Sequence, residues 1–394
     1  MLIWEWATAT GIPQPAGGLI EVSVALDSGA AGKAYGDPAF IGQVHPGDRL
    51  LLNTTAVHLD LGTGGYHFIH MNAGNGRAKC EHAGGARSSE PIAGSGQGRH
   101  GGNRLDEKRG HIMKLRYTPL QHAVLAAEEA ASPFHEVFSE KKSLAGMPVL
   151  IGELHSMLPI AAAWLVQRSA LTVSYIMTDG SALPLALSRH AAELKRLGWI
   201  RQTITSGQAY GGDIETVNKF TSLLAARWVA GTDTAIIAMG PGMVGTETRL
   251  GHSGMEVGEW VNAVRALQGV PIVIPRLSAG DARERHRGIS HHTLAALQVA
   301  AREKAIVPLP ITGQTEWDAR MAAQAQSIAK LHELRWIQAP SMQEIAAVLT
   351  DYPLPVTTMG RSAAEDPLFF QAVCCAAETV RLWLERADSP SSSD

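Results

Sequence analysis

The pattern of apolar and polar positions changes near residue 147 of this 394-residue chain. Before that point, short apolar stretches such as 18–26 and 49–53 are separated by glycine and proline turns, which is typical of short strands. After it, continuous apolar stretches alternate with amphipathic ones, which indicates parallel strands buried on both faces and helices between them. The pattern therefore predicts an α/β protein, in which a small N-terminal β-barrel or sandwich is followed by a doubly wound, mostly parallel α/β domain.

The strands and helices of the second domain can be assigned from this alternation. The apolar stretches predict strands, and the amphipathic stretches between and after them predict helices. The predicted strands are 148–154, 171–177, 202–206, 234–239, 271–274 and 305–309. The predicted helices are 158–168, 183–197, 214–229, 256–268, 291–302, 315–335, 341–350 and 363–386.

The same reading divides the chain into four parts. Residues 1–120 are predicted to form the β-rich domain, 121–146 a linker, 147–386 the α/β domain and 387–394 a disordered tail. The β-rich part contains an insertion, 71–110, which is rich in Gly, Ser, Arg and His and has few large apolar residues. Because such a composition buries too little apolar surface to offset the entropy of ordering, we predict that the insertion is flexible.

Composition and charge narrow the classes of partner. The formal net charge of −3 shows no basic surplus, so nucleic-acid binding over a large surface is not expected, and RNA association is the weakest alternative. The three cysteines show no CxxC or zinc-type spacing, which favours a reducing, cytoplasmic setting without a disulfide framework. The sequence shows no secretory signal and no apolar run of about 18 residues, so no membrane association is expected. A homo-oligomer is compatible with all of this.

The densest polar cluster follows the fifth predicted strand. Residues 281–293 read DARERHRGISHHT and lead into a predicted helix. Doubly wound sheets bind ligands outside the carboxyl ends of their strands, so this loop marks the expected site. Guanidinium groups bind phosphate and carboxylate through paired hydrogen bonds, although a solvated loop with internal ion pairs is the alternative. The arginines that alternate along the loop, and would face one way if it were extended, are Arg283, Arg285 and Arg287.

The histidines of this loop are predicted to supply acid and base chemistry. Ser290 is the expected N-cap of the next helix, which places His291 and His292 in its first turn. A helix N-terminus attracts anions and disfavours a charged imidazole, so neutral histidines beside arginines can donate hydrogen bonds to an oxyanion or act as bases. We therefore assign the acid/base role to His286 or His291.

The other strand exits are also polar or rich in glycine. Asp179 and Asp213 would orient a nucleophilic water or a metal, although turn geometry explains the first and helix capping the second equally well. The glycines after the fourth strand match neither a dinucleotide-binding nor a P-loop motif, so they form either an atypical ligand loop or a tight turn. The ligand-binding residues predicted at these exits are Ser206, Gly240, Gly242, Gly245 and Thr246.

A divalent metal is a further alternative, and the cofactor is left unknown. Glu153, His155 and the aspartates and histidines of the other exits are suitable ligand types, but no HExxH or HxH spacing is present. Adjacent His291 and His292 diverge by about 100° on a helix, so both are not expected to bind one ion. A serine nucleophile at Ser253 is disfavoured because no GxSxG elbow is present.

Several stretches in combination resemble an uncharacterised bacterial family that is known only as a domain of unknown function. The resemblance covers roughly residues 18–310 and implies a cytoplasmic bacterial protein, with no assigned activity or catalytic residues. In that family the strand ending near His70 leads more directly into the GHIMK stretch, so the 71–110 insertion is a departure. The stretches include LLLNTTA at 50–56, GHIMKLRYTP at 110–119 and RHRGISHHT at 285–293.

The predicted function is that of an enzyme acting on a small anion at the carboxyl ends of the strands. The substrate would be phosphorylated or carboxylated, and the reaction would be hydrolysis or group transfer. In this hypothesis the three alternating arginines hold the anion and the glycines line the ligand. The alternative is a non-catalytic metabolite-binding or regulatory protein. The observation behind both is the convergence of polar strand exits.

Overall fold

The computed structural model describes residues 3–16, 18–60, 65–74, 110–116, 120–181 and 183–388. The chain separates into two units, Met1–Leu105 and Asp106–Asp394. Most of the predicted insertion at 71–110 and the predicted tail beyond Asp388 lie outside the described residues. Within the described part of the chain, no helix has the length and apolar character needed to cross a membrane.

The N-terminal unit contains a closed five-stranded barrel. Strand β1 pairs with both β3 and β5, which closes the sheet in the order β1-β5-β6-β4-β3, and β2 extends it beside β3. Along β3, Val22, Val24 and Leu26 are buried while Ser23 and Ala25 are exposed, so the period of two in the sequence gives the barrel its core. The elements are β1 (Trp4–Ala9), β2 (Gln14–Ala16), β3 (Leu19–Leu26), β4 (Ala31–Gly36), α1 (Pro38–Ile41), β5 (Arg49–Asn53), α2 (Thr55–His58) and β6 (Tyr66–Asn72).

The second unit is built on an eight-stranded sheet in which all pairs are parallel. The strands are β9 (Pro148–Ile151), β10 (Val173–Thr178), β11 (Gln202–Thr205), β12 (Ile214–Glu215), β13 (Thr234–Met239), β14 (Val270–Val273), β17 (Ile306–Ile311) and β18 (Glu333–Gln338). Short antiparallel pairs are formed by β7 (Ile112–Lys114) with β8 (His122–Val124) and by β15 (Leu277–Ser278) with β16 (Gly288–Ile289).

Helices cover both faces of this sheet, which confirms the predicted α/β fold. In β9, Leu150 packs into one apolar core with the first helix after it, while Val149 and Ile151 pack into a second core on the other face. The continuous apolar strands of the sequence arise from this two-sided burial. The helices are α3 (His135–Glu140), α4 (Met157–Arg168), α5 (Arg189–Arg196), α6 (Lys219–Leu224), α7 (Glu256–Ala266), α8 (His291–Ala295), α9 (Thr315–Ala325), α10 (Met342–Val348) and α11 (Pro367–Asp388).

The order of the strands, β12-β11-β10-β13-β9-β14-β17-β18, creates a switch point near its centre. From β9 the chain winds outward through β10, β11 and β12, and after β13 it winds in the opposite direction through β14, β17 and β18. The carboxyl ends of β13, β9 and β14 therefore face a crevice between loops that leave in different directions. Such a crevice is the usual ligand site of a doubly wound sheet.

Two predicted helices were partly wrong, and the first, 214–229, begins with the edge strand β12 (Ile214–Glu215). Residues 315–335 were expected to be helical, but α9 ends at Ala325 and Glu333–Gln338 form the edge strand β18. Pairing with β17 satisfies backbone groups that would otherwise be left at the sheet edge, and Leu334 packs against two of the apolar cores. Tertiary pairing here overrides a local pattern that also suits a helix.

Lys114, in β7, fixes the loop that follows β11. Its side chain is fully buried, and Nζ donates hydrogen bonds to the carbonyl oxygens of Gly207, Ala209 and Thr216 at 2.7, 2.9 and 3.1 Å. Nζ also lies 3.2 Å from a carboxylate oxygen of Glu215. The ammonium group thus replaces its lost hydration with four oxygens from one loop.

We expect Lys114→Met to lower the free energy of unfolding by about 3–5 kcal/mol. The substitution removes one partner of a buried ion pair and leaves the negative charge of Glu215 uncompensated. Chemical denaturation measures this change. Lys304→Met, at an exposed position, is the matched control and should change stability by about 0.5 kcal/mol or less. Equal stabilities of the two variants would contradict a structural role for the Lys114 ammonium.

Candidate functional site

The switch-point crevice carries a cluster of histidines. Ring nitrogens of His286, His291 and His292 all lie within 4.8 Å of one another. The ring of His252, from the loop after β13, stacks on that of His292 with a centroid distance of 3.7 Å and an interplanar angle of 8°. Two loops that are distant in sequence therefore supply one site.

The start of α8 explains why the adjacent histidines converge. Ser290 is the N-cap, as predicted, and its Oγ accepts a hydrogen bond from the backbone N–H of His292. Residues in the first turn have no preceding turn to restrict their side-chain rotamers. The rings of His291 and His292 can therefore lie 4.4 Å apart, although the two positions diverge on an ideal helix.

Glu153 orients His292 from behind. The Glu153 carboxylate is buried after β9 and accepts hydrogen bonds from Arg276 Nη1 at 3.0 Å and from His292 Nδ1 at 3.2 Å. Burial alone would raise the pKa of Glu153, but His292 and Arg276 lower it to about 2. The hydrogen bond to Glu153 occupies Nδ1 of His292, so Nε2 is the ring nitrogen that is left for another partner.

The pKa values of His286 and His291 lie below the ordinary value of a histidine. Burial and the charges of Arg276 and Arg283 lower the pKa of His286 to about 3, while its Nδ1 lies 2.8 Å from Ser290 Oγ. Burial and the neighbouring His292 and His252 lower the pKa of His291 to about 4. His291 Nε2 is buried and has no hydrogen-bond partner within the described part of the chain. A buried polar atom of this kind is able to accept a water molecule or an ion as its partner.

The glycine loop after β13 lies beside these rings. A Cβ atom on Gly245 would lie 3.8 Å from His292 Nε2, so a side chain at this position would contact that ring. Gly245 also forms an isolated antiparallel β-bridge with His252, and Thr246 Oγ1 donates a hydrogen bond to the Gly251 carbonyl oxygen. Of the glycines predicted to contact a ligand, Gly245 lies at the histidines.

The remaining residues of that loop show turn geometry. Gly242 has a φ of +98°, a conformation that favours glycine, and nothing lies near its Cβ position. Gly240 is buried directly after β13. The structure thus gives these two glycines a clear conformational role, while their predicted contact with a ligand stays a prediction.

The three alternating arginines have three different surroundings, because Glu284–His286 form a 3₁₀ turn in the loop. Arg283 makes a paired contact with Asp281, with both distances 2.9 Å. Arg285 donates to Glu247 at 2.9 Å, and its charge contributes to the low pKa of His291. Arg287 lies over the Trp317 ring at 5.4 Å. They do not form a single anion-binding face.

Asp179 and Ser206 lie together at the exits of β10 and β11. Asp179 Oδ2 accepts a hydrogen bond from the Gln208 N–H at 3.1 Å, and a Cβ atom on Gly207 would clash with this carboxylate. Gly207 has a φ of +65°, so both its conformation and this close approach require glycine. Ser206 is buried, and its N–H donates to the Met177 carbonyl oxygen.

Asp213 contacts Thr203 and Lys195 rather than the histidines. Its carboxylate accepts hydrogen bonds from Thr203 N and Oγ1 at 2.8 Å each and pairs with Lys195 at 2.8 Å. The alternative that Asp213 caps the next helix is wrong, because Asn218 is the N-cap of α6. None of these contacts within the described residues reaches the histidine cluster.

Glu256 was not found by sequence reasoning. It begins α7, accepts a hydrogen bond from Thr178 Oγ1 at 2.7 Å and has its pKa raised by burial to about 7. A carboxyl group with this pKa is suited to proton transfer near neutral pH. In the sequence it resembles any acidic residue placed at a helix N-terminus, where it stabilises the helix dipole.

Comparison with protein families matches residues 33–377 to a family described as "Protein of unknown function (DUF3866)". The chain belongs to the DUF3866 family. The match includes the whole 281–293 loop and extends beyond residue 310, where the resemblance seen in the sequence motifs ended. No curated protein matches the chain significantly. The chemistry of this DUF3866 protein must therefore be inferred from its site.

A second pair of histidines in this DUF3866 protein stabilises the fold. His155 Nδ1 donates to the Met239 carbonyl oxygen at 3.2 Å, and Nε2 accepts from Ser188 Oγ at 2.8 Å. The ring of His190 lies 5.8 Å away. Burial, together with His190, lowers the pKa of His155 to about 3, so the folded protein keeps this ring neutral.

The neutral His155 should make the protein less stable in acid. An unfolded histidine takes up a proton near pH 6.5, whereas folded His155 does so near pH 3, so the stabilising effect is lost as the pH falls between these values. The contribution is about 1.4 kcal/mol per pH unit. Denaturation curves from pH 7 to 4 should therefore show a shallower slope for His155→Gln than for wild type. His58→Gln is the exposed control, and a His155→Gln slope equal to its slope would contradict the assignment.

Proposed function

We propose that this protein is a metal-dependent hydrolase, with a divalent transition-metal ion bound by His286, His291 and His292. The observation that supports this most is the convergence of three imidazole rings, each with a nitrogen within 4.8 Å of those of the other two. Three protein ligands and one open position are characteristic of catalytic zinc sites, whereas structural zinc sites have four protein ligands. Imidazole suits zinc, copper, iron and nickel, and zinc is the ion used in the tests below.

The surroundings of the rings also suit a metal. Metal-binding histidines almost always donate their second ring N–H to a carboxylate or carbonyl, which fixes the tautomer and the ring orientation. Glu153 forms such a hydrogen bond with His292 Nδ1, and the Ser290 hydroxyl forms a hydrogen bond with His286 Nδ1. The unpartnered Nε2 of His291 is the atom that an ion would satisfy. Gly245, which has no side chain, lies beside His292 Nε2.

A bound ion would lower the pKa of a water molecule and polarise the scissile group of the substrate. The chain itself provides the ligands and their orientation. In the hydrolysis, the water oxygen bonds to phosphorus or an acyl carbon, the ester bond breaks, and the released proton goes to the leaving oxygen.

Purified protein should contain about one transition-metal ion per chain by elemental analysis. His292→Ala and the double variant His286→Ala/His291→Ala should lose the ion, since each removes ligands from a three-ligand site. His58→Ala, which removes one exposed histidine, is the matched control and should keep it. Wild-type protein that binds no zinc after dialysis against it, or a ligand variant that binds zinc as tightly as wild type, would overturn the proposal.

Activity should depend on the same ion. On a panel of phosphate monoesters and carboxylic esters, chelation should abolish turnover and added zinc should restore it. The His292→Ala variant should lose at least about 100-fold in kcat/KM, which corresponds to about 2.7 kcal/mol of transition-state stabilisation. Tight ligand binding without turnover of any ester would instead support the metabolite-binding alternative.

Location and partners stay predictions. Cys374 and Cys375 are buried as free thiols in α11, which is compatible with the cytoplasmic setting predicted from cysteine usage. A small anion is the expected ligand, and nucleic acid is not. A homo-oligomer is compatible with the sequence, and measurement of the molecular mass in solution tests it.

A further inference from the structure

We propose that the histidine cluster has an oxyanion subsite, formed by Arg285 and Arg249, that selects substrates with a doubly charged phosphoryl group. The inference rests on the proposed metal centre, to which it adds the class of substrate. The two arginines come from the two loops that enclose the cluster, after β14 and after β13. Sequence reasoning found the first of them but not the second.

Arg285 has hydrogen-bonding capacity that the protein does not use. Its Nε is buried and has no hydrogen-bond partner within the described residues, although a guanidinium group can donate five hydrogen bonds. Its contact with the protein is with Glu247, whose side chain is 76% exposed. Such an ion pair is weakened by water, so a ligand oxygen can compete for the guanidinium.

Arg249 is attached to the cluster through its backbone. Its carbonyl oxygen accepts a hydrogen bond from His252 Nε2 at 3.2 Å, and His252 stacks on His292. The Arg249 side chain donates to the neutral amide of Gln298 at 2.8 Å rather than to a carboxylate. Its positive charge is therefore not cancelled by this contact.

The balance of charge around the site favours a dianion. Three arginines of the crevice are matched by three buried carboxylates through ion pairs, so they add no net charge there. Exposed Glu284 pairs with Arg320, so Arg249 and Arg285 remain against the exposed carboxylate of Glu247, and a divalent ion would add two further positive charges. A phosphoryl group matches this excess better than a carboxylate does. The matched groups are Arg276, Arg283 and Arg361 with Glu153, Asp281 and Asp366.

The test is binding of inorganic phosphate and of acetate to the zinc-loaded protein, by titration calorimetry with metal content measured on the same samples. Arg285→Gln and Arg249→Gln should each raise the Kd for phosphate about tenfold or more and reduce the preference for phosphate over acetate. Glu247→Gln should lower the Kd for phosphate several-fold, because it frees Arg285 from its partner. Arg302→Gln, at an exposed position before β17, is the control for loss of one charge.

The outcomes separate this subsite from the metal centre. The subsite is supported if the arginine variants keep their zinc and lose phosphate, and if the Glu247 variant shifts the other way. It is overturned if Arg285→Gln and Arg249→Gln keep both zinc and wild-type phosphate affinity, or if acetate binds wild type as tightly as phosphate. Wild-type protein that takes up no zinc overturns the metal centre itself. Thermal unfolding of each variant confirms that a lost affinity is not a lost fold.

Discussion

The buried ion pair between Glu153 and Arg276 is the interaction on which the site depends. Glu153 follows β9 and Arg276 follows β14, and because these strands are parallel neighbours both side chains reach the same point of the crevice. Removing two charges from water is costly, and the cost is offset only when the remaining hydrogen-bonding positions are filled. His292 and Thr293 fill them, so the contacts that make the pair tolerable also orient a ring of the histidine cluster.

The topology of the sheet brings together segments that are far apart in the chain. The crevice receives residues from the exits of β9, β13 and β14. The segment before α11 forms hydrogen bonds with the loop that follows β14. Asp366 in that segment accepts hydrogen bonds from Ser278 Oγ and Ala279 N, and Arg361 pairs with Asp281. The loop that carries the histidines is therefore held at its beginning by residues about 85 positions later. Rigid support of this kind keeps a constellation of side chains in place.

The fold could be predicted from the sequence further than the site could. Continuous apolar strands report burial on two faces, and that periodicity was sufficient for the α/β class and for the place of the 281–293 loop. Edge strand β18 was missed because its pairing with β17 is a long-range interaction that leaves no local pattern. Glu256 was missed for a similar reason, since its raised pKa comes from burial beside Thr178 and not from its neighbours in sequence.

The role of the 281–293 loop changes when its charges are followed to their partners. Arg283 forms an ion pair with Asp281, and Arg287 lies over the ring of Trp317. These two arginines therefore stabilise the conformation of the loop. Burial and the charges of Arg276 and Arg283 lower the pKa of His286 and keep that ring neutral. A neutral imidazole has a lone pair where a charged one has a proton. The arginines thus favour a site whose chemistry depends on nitrogen lone pairs, and that is the property which a metal ion requires of its ligands.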